Sequence, residues 1–447
     1  MNEARLDRVL SSLNSEQLSA IEHTLSGWRS PDGGVRLTII DGPPGTGKTY
    51  VAAAAAGEWV RRRGSQVVIL TPTHRAAERA RRLLTEVGFE SNETLRLAPG
   101  KVGEQSPGIV TFERPESLPP NLLRKLRQAP VLITTWHGSQ RALGSRGFNL
   151  VSSNCLLMLD EVSQIPFAAF LAILRRVYSA LGRRGLGAIS LLGDPHQLPV
   201  VTTQEMLATN AALAILRRHP ECTPHRLVSQ YRMNDPICDL VNRFRRLAFG
   251  GNPLKPANDT VAELTLDKLS GPTRPARGRF NDILDPSAPV AVVDTSRFSA
   301  ERGWMERAVG SSWMFGQEAY LAARIEEAFR EAYGTSLTIA LLSPYKAQVA
   351  AMRVNGAKDA LTIYRAQGHE WDCIILSMAR TNIRGRTILD EVYQHIYVGL
   401  SRPRVKLIIL LHADQFNRLR LIGPLLKETL DMPGVRWIEA DPAWVEA

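Results

Sequence analysis

Asp41-Gly42-Pro43-Pro44-Gly45-Thr46-Gly47-Lys48-Thr49 carries the spacing G-x-x-x-x-G-K-[ST], which is that of a phosphate-binding loop. Residues 37–40 before it are a short apolar, β-branched run, as in a buried strand. Residues 51–56 after it are alanine-rich and helix-favouring. Strand, glycine loop and helix is the context that this spacing requires. The glycines let backbone N–H groups turn inward on phosphates, and the helix N-terminus adds its dipole. Lys48 can reach β- and γ-phosphates, and the Thr49 hydroxyl can ligate Mg²⁺. A glycine-rich turn without a ligand would not need every position and both flanks to agree.

The chain of 447 residues has room for about two to four domains. Its 44% hydrophobic and 22% charged residues are ordinary for a folded chain. No apolar run approaches the ~20 residues that span a bilayer, and residues 1–10 are charged, with no apolar signal core. The expectation is an intracellular, cytoplasmic protein without a membrane partner. Cys155, Cys222, Cys238 and Cys373 are scattered, with no C-x-x-C pair, which argues against a zinc site or a disulfide framework. Cys155 and Cys373 open apolar runs and read as core. A net charge of +11 and a pI of about 9.7 suit a polyanionic partner such as nucleic acid. An arginine-rich solvated surface is the plainer alternative, and composition does not separate the two.

Outward from the loop, the chain alternates strands and helices. Asn14 is a helix N-cap before Ser15-Glu16-Gln17, with Leu18, Ile21 and Leu25 at helical spacing. The Gln17 amide can read adenine as donor and acceptor together; read alone, it is equally a surface glutamine. A strand over 67–70 ends in Thr71-Pro72-Thr73-His74, and a helix with Arg75, Arg79, Arg81 and Arg82 follows. Ligands of parallel sheets bind at the carboxyl ends of strands, so Pro72, Thr73 and His74 are candidates for holding phosphates of a nucleic-acid strand. The arginines also fit a solvated helix face. Residues 88–130, with Pro107, Pro115, Pro119 and Pro120, read as an insertion in the first domain. Residues 131–133 resume the sheet and end at Thr135 and Trp136; Trp136 can stack a base or join the core.

The run 156–159 ends in Asp160-Glu161. Adjacent acids at the end of a buried strand are costly without a cation. Asp160 is placed to hold Mg²⁺, and Glu161 to orient or deprotonate an attacking water. The strand over 189–192 leads to Gln197, a candidate γ-phosphate sensor. The pattern restarts after Cys222, giving domains 1–222 and 223–447. A basic Pro- and Gly-rich stretch over 243–289 reads as surface loops. Strands near 290–293, 337–342, 373–376 and 407–411, with a helix over 317–331, complete a second α/β sheet. Alternation in both halves predicts two parallel-sheet layers.

The ordered set resembles superfamily 1 helicases, and within them the 1B branch that includes the nonsense-mediated-decay RNA helicase and related replication helicases. The resemblance rests on LNSEQ at 13–17, GPPGTGKT at 42–49, TPTHRAA at 71–77, LLMLDEVSQ at 156–164 and GDPHQLP at 193–199. It continues through SQYRM at 229–233, SPYKAQ at 343–348, YRAQGHEWD at 364–372 and VGLSRPR at 398–404. It implies two tandem RecA-like domains, with ATP and Mg²⁺ in a cleft between them. Lys48, Thr49, Asp160, Glu161 and Gln197 would come from the first domain. The second would supply Gly368, Glu370 and two arginine fingers, Arg232 and Arg402. Gln17 would read adenine, Tyr231 would pack near the base, and Glu370 would meet the sugar or couple the cleft to the strand. Pro72, Thr73, Thr135, Pro344, Tyr345 and Thr362 match positions along the nucleic-acid track.

Two departures from the family stand out. Ser401-Arg402-Pro403 replaces the usual T-R-A, and Pro403 lacks an N–H. No N-terminal β-barrel, cysteine-rich domain or fused nuclease is visible, so a nearly bare motor is expected. The implied activity is ATP-dependent 5′-to-3′ movement on single-stranded DNA or RNA, with a protein partner for loading or strand separation. The alternative is a nucleic-acid-stimulated ATPase that remodels or clamps complexes without unwinding. A phosphate-loop kinase leaves Arg232, Gln367 and Arg402 unexplained.

Overall fold

The computed structural model of the protein describes residues 1–26, 35–99, 103–106, 108–112, 118–142, 154–181, 186–198, 212–219, 222, 224–270, 278–384, 389 and 393–446. They form two compact units: Met1–Pro195 with Pro199–Val228, and His196–Leu198 with Ser229–Ala447.

The strands of the first unit are β1 (Arg36–Asp41), β2 (Val67–Thr71), β3 (Thr94–Pro99), β4 (Gly103–Ser106), β5 (Ile109–Phe112), β6 (Val131–Thr135), β7 (Cys155–Leu159), β8 (Leu186–Gly193) and β9 (His225–Arg226). They form one sheet in the order β4-β5-β3-β6-β2-β7-β8-β1-β9, parallel except for β4 against β5. The continuous apolar runs of β2, β6 and β7 are buried along their whole length, as expected of a sheet covered on both faces. In β7, Leu157 and Leu159 join one apolar cluster while Leu156 and Met158 join the other. Alanines 52–56 bury one turn after another of the helix Lys48–Arg63 in that second cluster. Because β8 lies between β1 and β7, the carboxyl ends of these three strands bring Asp41, Gly193 and Asp160 to one edge.

Three expectations about organisation change here. Within the 88–130 stretch, Thr94–Pro99, Gly103–Ser106 and Ile109–Phe112 are β3, β4 and β5, which extend the sheet at its edge; the neighbouring prolines hid the pattern. The division between units falls at 228/229, not at 222/223. His225–Arg226 pairs with Ile40 and Asp41 of β1, and two residues carry no periodicity to reveal it. His196–Leu198 groups with the second unit, where Leu198 is in the core. The 243–289 stretch is not loops alone. It begins inside the helix Asp235–Phe249, which buries Phe244 and Arg245, and it contains the helices Asp259–Ala262, Leu266–Ser270 and Asn281–Leu284.

The second unit begins with the short pair β10 (Ser229–Gln230) and β11 (Lys255–Pro256). Its main strands are β12 (Val290–Asp294), β15 (Ile339–Ser343), β16 (Ala360–Thr362), β17 (Trp371–Ser377), β18 (Pro403–Leu411) and β19 (Val435–Glu439); the hairpin β13 (Arg307–Val309) and β14 (Ser312–Met314) stands apart. The main sheet runs β16-β15-β17-β18-β12-β19, all parallel. Alternation again divides β17, with Ile374 and Leu376 on one face and Cys373 and Ile375 on the other. Both units are therefore doubly covered parallel α/β sheets, the architecture that the strand–helix alternation predicts. Pro403 opens β18 opposite Trp371, whose N–H donates to the Arg402 carbonyl at 3.2 Å. Its missing N–H thus falls at a strand start, where the ladder tolerates it.

Lys406 of β18 is fully buried and donates to the Asp285 and Ala288 carbonyls at 2.9 and 2.6 Å. Burial pushes its ammonium down from the ordinary 10.5 to about 7. Between those values the unfolded chain holds more protons, so this group makes stability rise with pH. Denaturant unfolding at pH 7, 8 and 9 should show wild type gaining on Lys406→Met, by at most about 1.4 kcal/mol per pH unit. Parallel pH profiles for the two proteins would contradict it.

Candidate nucleotide site

The phosphate loop leaves β1 at Asp41, and the Gly42 N–H donates to the Gly193 carbonyl at 3.0 Å. Gly45 and Gly47 adopt φ of 81° and 79°, a region that favours glycine. A Cβ on Gly42 would lie 2.4 Å from Lys48 Cγ, so the loop closes on the lysine stem with no space to spare. Gly47 immediately precedes the helix Lys48–Arg63. Thr46 is fully buried, and its hydroxyl donates to the Pro43 carbonyl at 2.8 Å. Pro43 and Pro44 are buried beside it. Gln17 holds the loop from outside, with Nε2 donating to the Thr46 carbonyl at 3.2 Å. Its Oε1 accepts from the Asn14 N–H while Asn14 Oδ1 accepts from the Gln17 N–H, a reciprocal capping box. The capping box is legible in the Asn14-x-x-Gln17 spacing; the brace to Thr46, 29 residues away, is not.

Four charged or polar groups converge at the loop. Lys48 Nζ bonds the Gly42 carbonyl and lies 3.8 Å from Glu161 Oε1. Thr49 Oγ1 donates to Asp160 Oδ2 at 3.1 Å. Burial, then the neighbouring Glu161 charge, raises the Asp160 carboxyl to about 6, against the opposing pull of Lys48. Glu161 takes a left-handed backbone, φ 50° and ψ 46°, a strained conformation for a non-glycine residue. Among the described residues its Oε2 is buried without a hydrogen-bond partner. A hydroxyl beside a carboxylate is a hard oxygen donor set of the kind Mg²⁺ takes together with phosphates. The raised Asp160, the unpartnered Glu161 oxygen and the tight glycine cradle all fit a Mg²⁺-bound polyphosphate. Among the described residues, no cluster of three or more His, Cys, Asp or Glu could hold a metal alone.

The second unit gathers Arg232, Gly368, Glu370 and Arg402. Arg232 donates to Glu370 Oε2 and to the Ser401 carbonyl, each at 2.9 Å. Arg402 is 2% exposed and donates to the Val398 and His369 carbonyls and to Ser401 Oγ. Ser401 therefore ties the two guanidinium groups together, the carbonyl to one and the hydroxyl to the other. Gly368 has φ 80°, and Tyr231 beside Arg232 is 40% exposed. Gln197 is buried and accepts from Gln367 Nε2 at 3.2 Å.

The expected strand-contact residues fall at strand ends. Pro72, Thr73 and His74 follow β2; Thr135 ends β6, its parallel neighbour, with Thr71 opposite Thr135, and Trp136 opens the helix Trp136–Ala142. Thr73 caps the Ala76 N–H and Thr135 the Gly138 N–H. Trp136 is half-buried on the core and tilts against His137. Burial and Arg96 lower the exposed-edge His74 from its ordinary value. In the second unit, Pro344 and Tyr345 follow β15 and Thr362 ends β16, with Ser343 opposite Thr362. Tyr345 is only 6% exposed, so its ring serves the core. Sequence reasoning missed the ion pair of Asp41 with Arg217, at 2.8 Å; Arg217 lies in a stretch without any motif.

With this geometry in view, comparison with known proteins places the chain. An AAA domain family matches residues 12–237, half of the chain, and a second AAA domain family matches 208–414. Regulator of nonsense transcripts 1 of Dictyostelium discoideum is 23% identical, over 93% of this chain and 32% of its own length. DNA polymerase alpha-associated DNA helicase A of Saccharomyces cerevisiae is 25% identical, over 91% and 66%. ATP-dependent helicase NAM7 of the same yeast is 24% identical, over 93% and 43%. The chain thus spans between 32% and 66% of the length of these relatives. The chain belongs to the AAA domain family, with its relatives on the superfamily 1 branch of the nonsense-transcript regulators.

Proposed function

We propose that this chain is an ATP-driven helicase or translocase that moves 5′-to-3′ along single-stranded nucleic acid. The observation that carries the reading is the buried, unpartnered Glu161 Oε2 beside Lys48 and the phosphate loop. The loop N–H groups and the N-terminus of helix Lys48–Arg63 bind the β- and γ-phosphates. Lys48 exchanges the Gly42 carbonyl for phosphate oxygens. Glu161 aligns a water in line with the γ-phosphorus and takes its proton as the water oxygen bonds to phosphorus and the bond to the β-phosphate oxygen breaks. Asp160 and Thr49 would hold Mg²⁺, which would supply positive charge against the phosphate oxygens. Gln17 and Tyr231 are proposed to meet the base, Gln197 to sense the γ-phosphate, Gly368 and Glu370 to border the nucleotide. Arg232 and Arg402 are proposed as the cations that stabilise the leaving phosphates.

The direction of movement follows from the resemblance to the 1B branch and is part of the proposal. Strand phosphates are proposed to lie over Pro72, Thr73, His74, Thr135, Trp136, Pro344 and Thr362, with the backbone of Tyr345 and not its core-packed ring beside them, and the basic charge of the chain supports this. The names of the similar proteins refer to both transcripts and DNA, and either strand chemistry fits. An intracellular setting is supported by four free cysteines, three of them buried. No helix among the described residues is long and apolar enough to cross a membrane.

A second reading, an ATPase that clamps or remodels without unwinding, draws support from one observation. The described strands of 94–112 lengthen the sheet at its edge and do not stand off it as a wedge. A protein partner would then load the motor or supply the wedge.

Lys48→Ala should nearly abolish ATP hydrolysis while its circular dichroism and melting stay close to wild type; wild-type turnover in a folded variant would sink the ATPase reading. Binding to single strands should weaken steeply as salt rises and vary little among sequences of equal length. A flat salt response, or strong preference for one sequence, would contradict it.

A further inference from the structure

β13 and β14 form a hairpin outside the main sheet of the second unit, closed by a two-residue turn in which Gly310 takes φ 58°. Glycine at the first position of such a turn matches the twist of a tight hairpin. Residues 307–311 are all exposed. A two-stranded ribbon is marginal on its own in water, so its order depends on what holds it.

The hairpin is clamped at several points. Glu306, just before β13, is buried and pairs with Arg380 Nε at 3.2 Å. It also accepts the Thr381 N–H at 2.7 Å, and its own N–H donates to Thr381 Oγ1 at 3.0 Å. The Arg380 guanidinium lies over the Trp313 ring of β14, 4.2 Å from its centroid, a cation–π contact. Just after β14, the Phe315 N–H donates to Gln348 Oε1 at 2.8 Å, and Gln348 Nε2 donates back to the Phe315 carbonyl. Next to the turn, Ser312 Oγ accepts the Ala347 N–H at 3.1 Å. The tip is therefore fixed beside the first turn of the helix Lys346–Val354, a few residues beyond Pro344 at the carboxyl end of β15.

The register pairs Arg307 with Met314, Ala308 with Trp313 and Val309 with Ser312. Side chains alternate along a strand, so Ala308 and Trp313 share the face that Arg380 covers. Arg307 and Val309 share the other face with Ser312, the residue that meets Ala347. Val309, and Met305 at the foot of the hairpin, hold exposed apolar side chains. Arg307 and Lys346 are exposed, and their side chains have no partner among the described residues. Apolar groups on a firmly held ribbon, with unneutralised cations beside them, match the end of a nucleic-acid duplex. Its terminal base pair offers a flat apolar surface and its two strands carry phosphates.

We propose that the β13–β14 hairpin is a strand-separation wedge, with Val309 and Met305 against the terminal base pair of a duplex and Arg307 and Lys346 on its phosphates. This inference rests on the reading of Pro344 and Thr362 as part of a strand track, and it adds the element that splits a duplex. A single strand drawn along the carboxyl ends of β15 and β16 would bring the duplex junction against the hairpin.

The test compares two activities of the full chain: ATP hydrolysis stimulated by single strands, and single-turnover unwinding of tailed duplexes. Both are run on DNA and on RNA, and unwinding is read on the chemistry that stimulates wild type more. The variants are Val309→Asp, the double variant Met305→Ala/Val309→Ala, and Val309→Leu. The first two should keep stimulated hydrolysis within about twofold of wild type and unwind long GC-rich duplexes roughly fivefold or more slowly. Val309→Leu, which keeps an apolar tip, should unwind as wild type does. Unwinding at the wild-type rate in the first two variants overturns the proposal. So does an equal loss of stimulated hydrolysis and unwinding, which would mark a role in strand binding or folding. If single strands leave wild-type hydrolysis unchanged, or wild type opens no duplex, the helicase reading itself fails and this inference falls with it. If wild type unwinds and the variants do so equally well, only the inference falls.

Discussion

A lysine and two carboxylates share one poorly hydrated corner of the first unit, and much of that unit's architecture serves to hold them there. Isolated burial of any one of these ions would be costly. Together they offset one another in part: Lys48 stands 3.8 Å from Glu161, and Thr49 donates to Asp160. The balance is incomplete, because burial still drives Asp160 upward to about 6 and one Glu161 oxygen has no partner among the described residues. A corner left short of positive charge and of hydrogen-bond donors is well suited to a divalent cation and an ordered water. The sheet order explains how it is built. With β8 between β1 and β7, the loop and the acid pair leave neighbouring positions on one edge, and the glycine backbone of the loop folds back against the lysine stem.

The second unit manages buried charge differently. Arg232 and Arg402 are both almost wholly shielded from solvent; Ser401 ties them to each other, while Arg232 reaches Glu370 and Arg402 the His369 carbonyl. A guanidinium stays charged under all ordinary conditions, so this pair is a permanent positive centre with defined geometry. A few residues away in the chain, Ser377 and the Ala379 N–H donate to fully buried Glu318, and burial raises that carboxyl to about 7. Gln348 completes the arrangement by donating to Ser377 and to the Phe315 carbonyl. The helix Gly316–Tyr333 and the turn after β17 are therefore fixed by polar bonds inside an apolar layer, where an unmade bond is costly.

Much of this is legible in the amino-acid sequence. The loop, Asp160-Glu161 and the principal strands declare themselves because each joins a strong local pattern to a fixed spacing. Continuous apolar runs mark β2, β6, β7 and β17, and candidate site residues follow the first three. What escapes a reading of the sequence is set by tertiary contact. His225–Arg226 is a strand only because β1 offers an edge, and two residues hold no period. β3, β4 and β5 join the sheet despite neighbouring prolines that read as a loop. The helix Asp235–Phe249 runs into the basic stretch because its apolar face packs inward, while its arginines dominate the composition. The Asp41–Arg217 pair joins residues 176 apart, and no spacing rule reaches that far. Tyr345, expected along a strand track, lies largely in the core, since its position after β15 fixes where its backbone stands but not how deep its ring sits.

The central claim is that Glu161 prepares the water that attacks a nucleotide held at the loop. Its most direct measurement is single-turnover hydrolysis of Mg·ATP by Glu161→Gln, alongside equilibrium binding of the same nucleotide. The amide keeps the shape of the side chain and removes its capacity to take a proton. The expected result is binding at least as tight as wild type, with hydrolysis slowed by about 100-fold or more. Hydrolysis within a few-fold of wild type, in a variant that binds Mg·ATP normally, would contradict it.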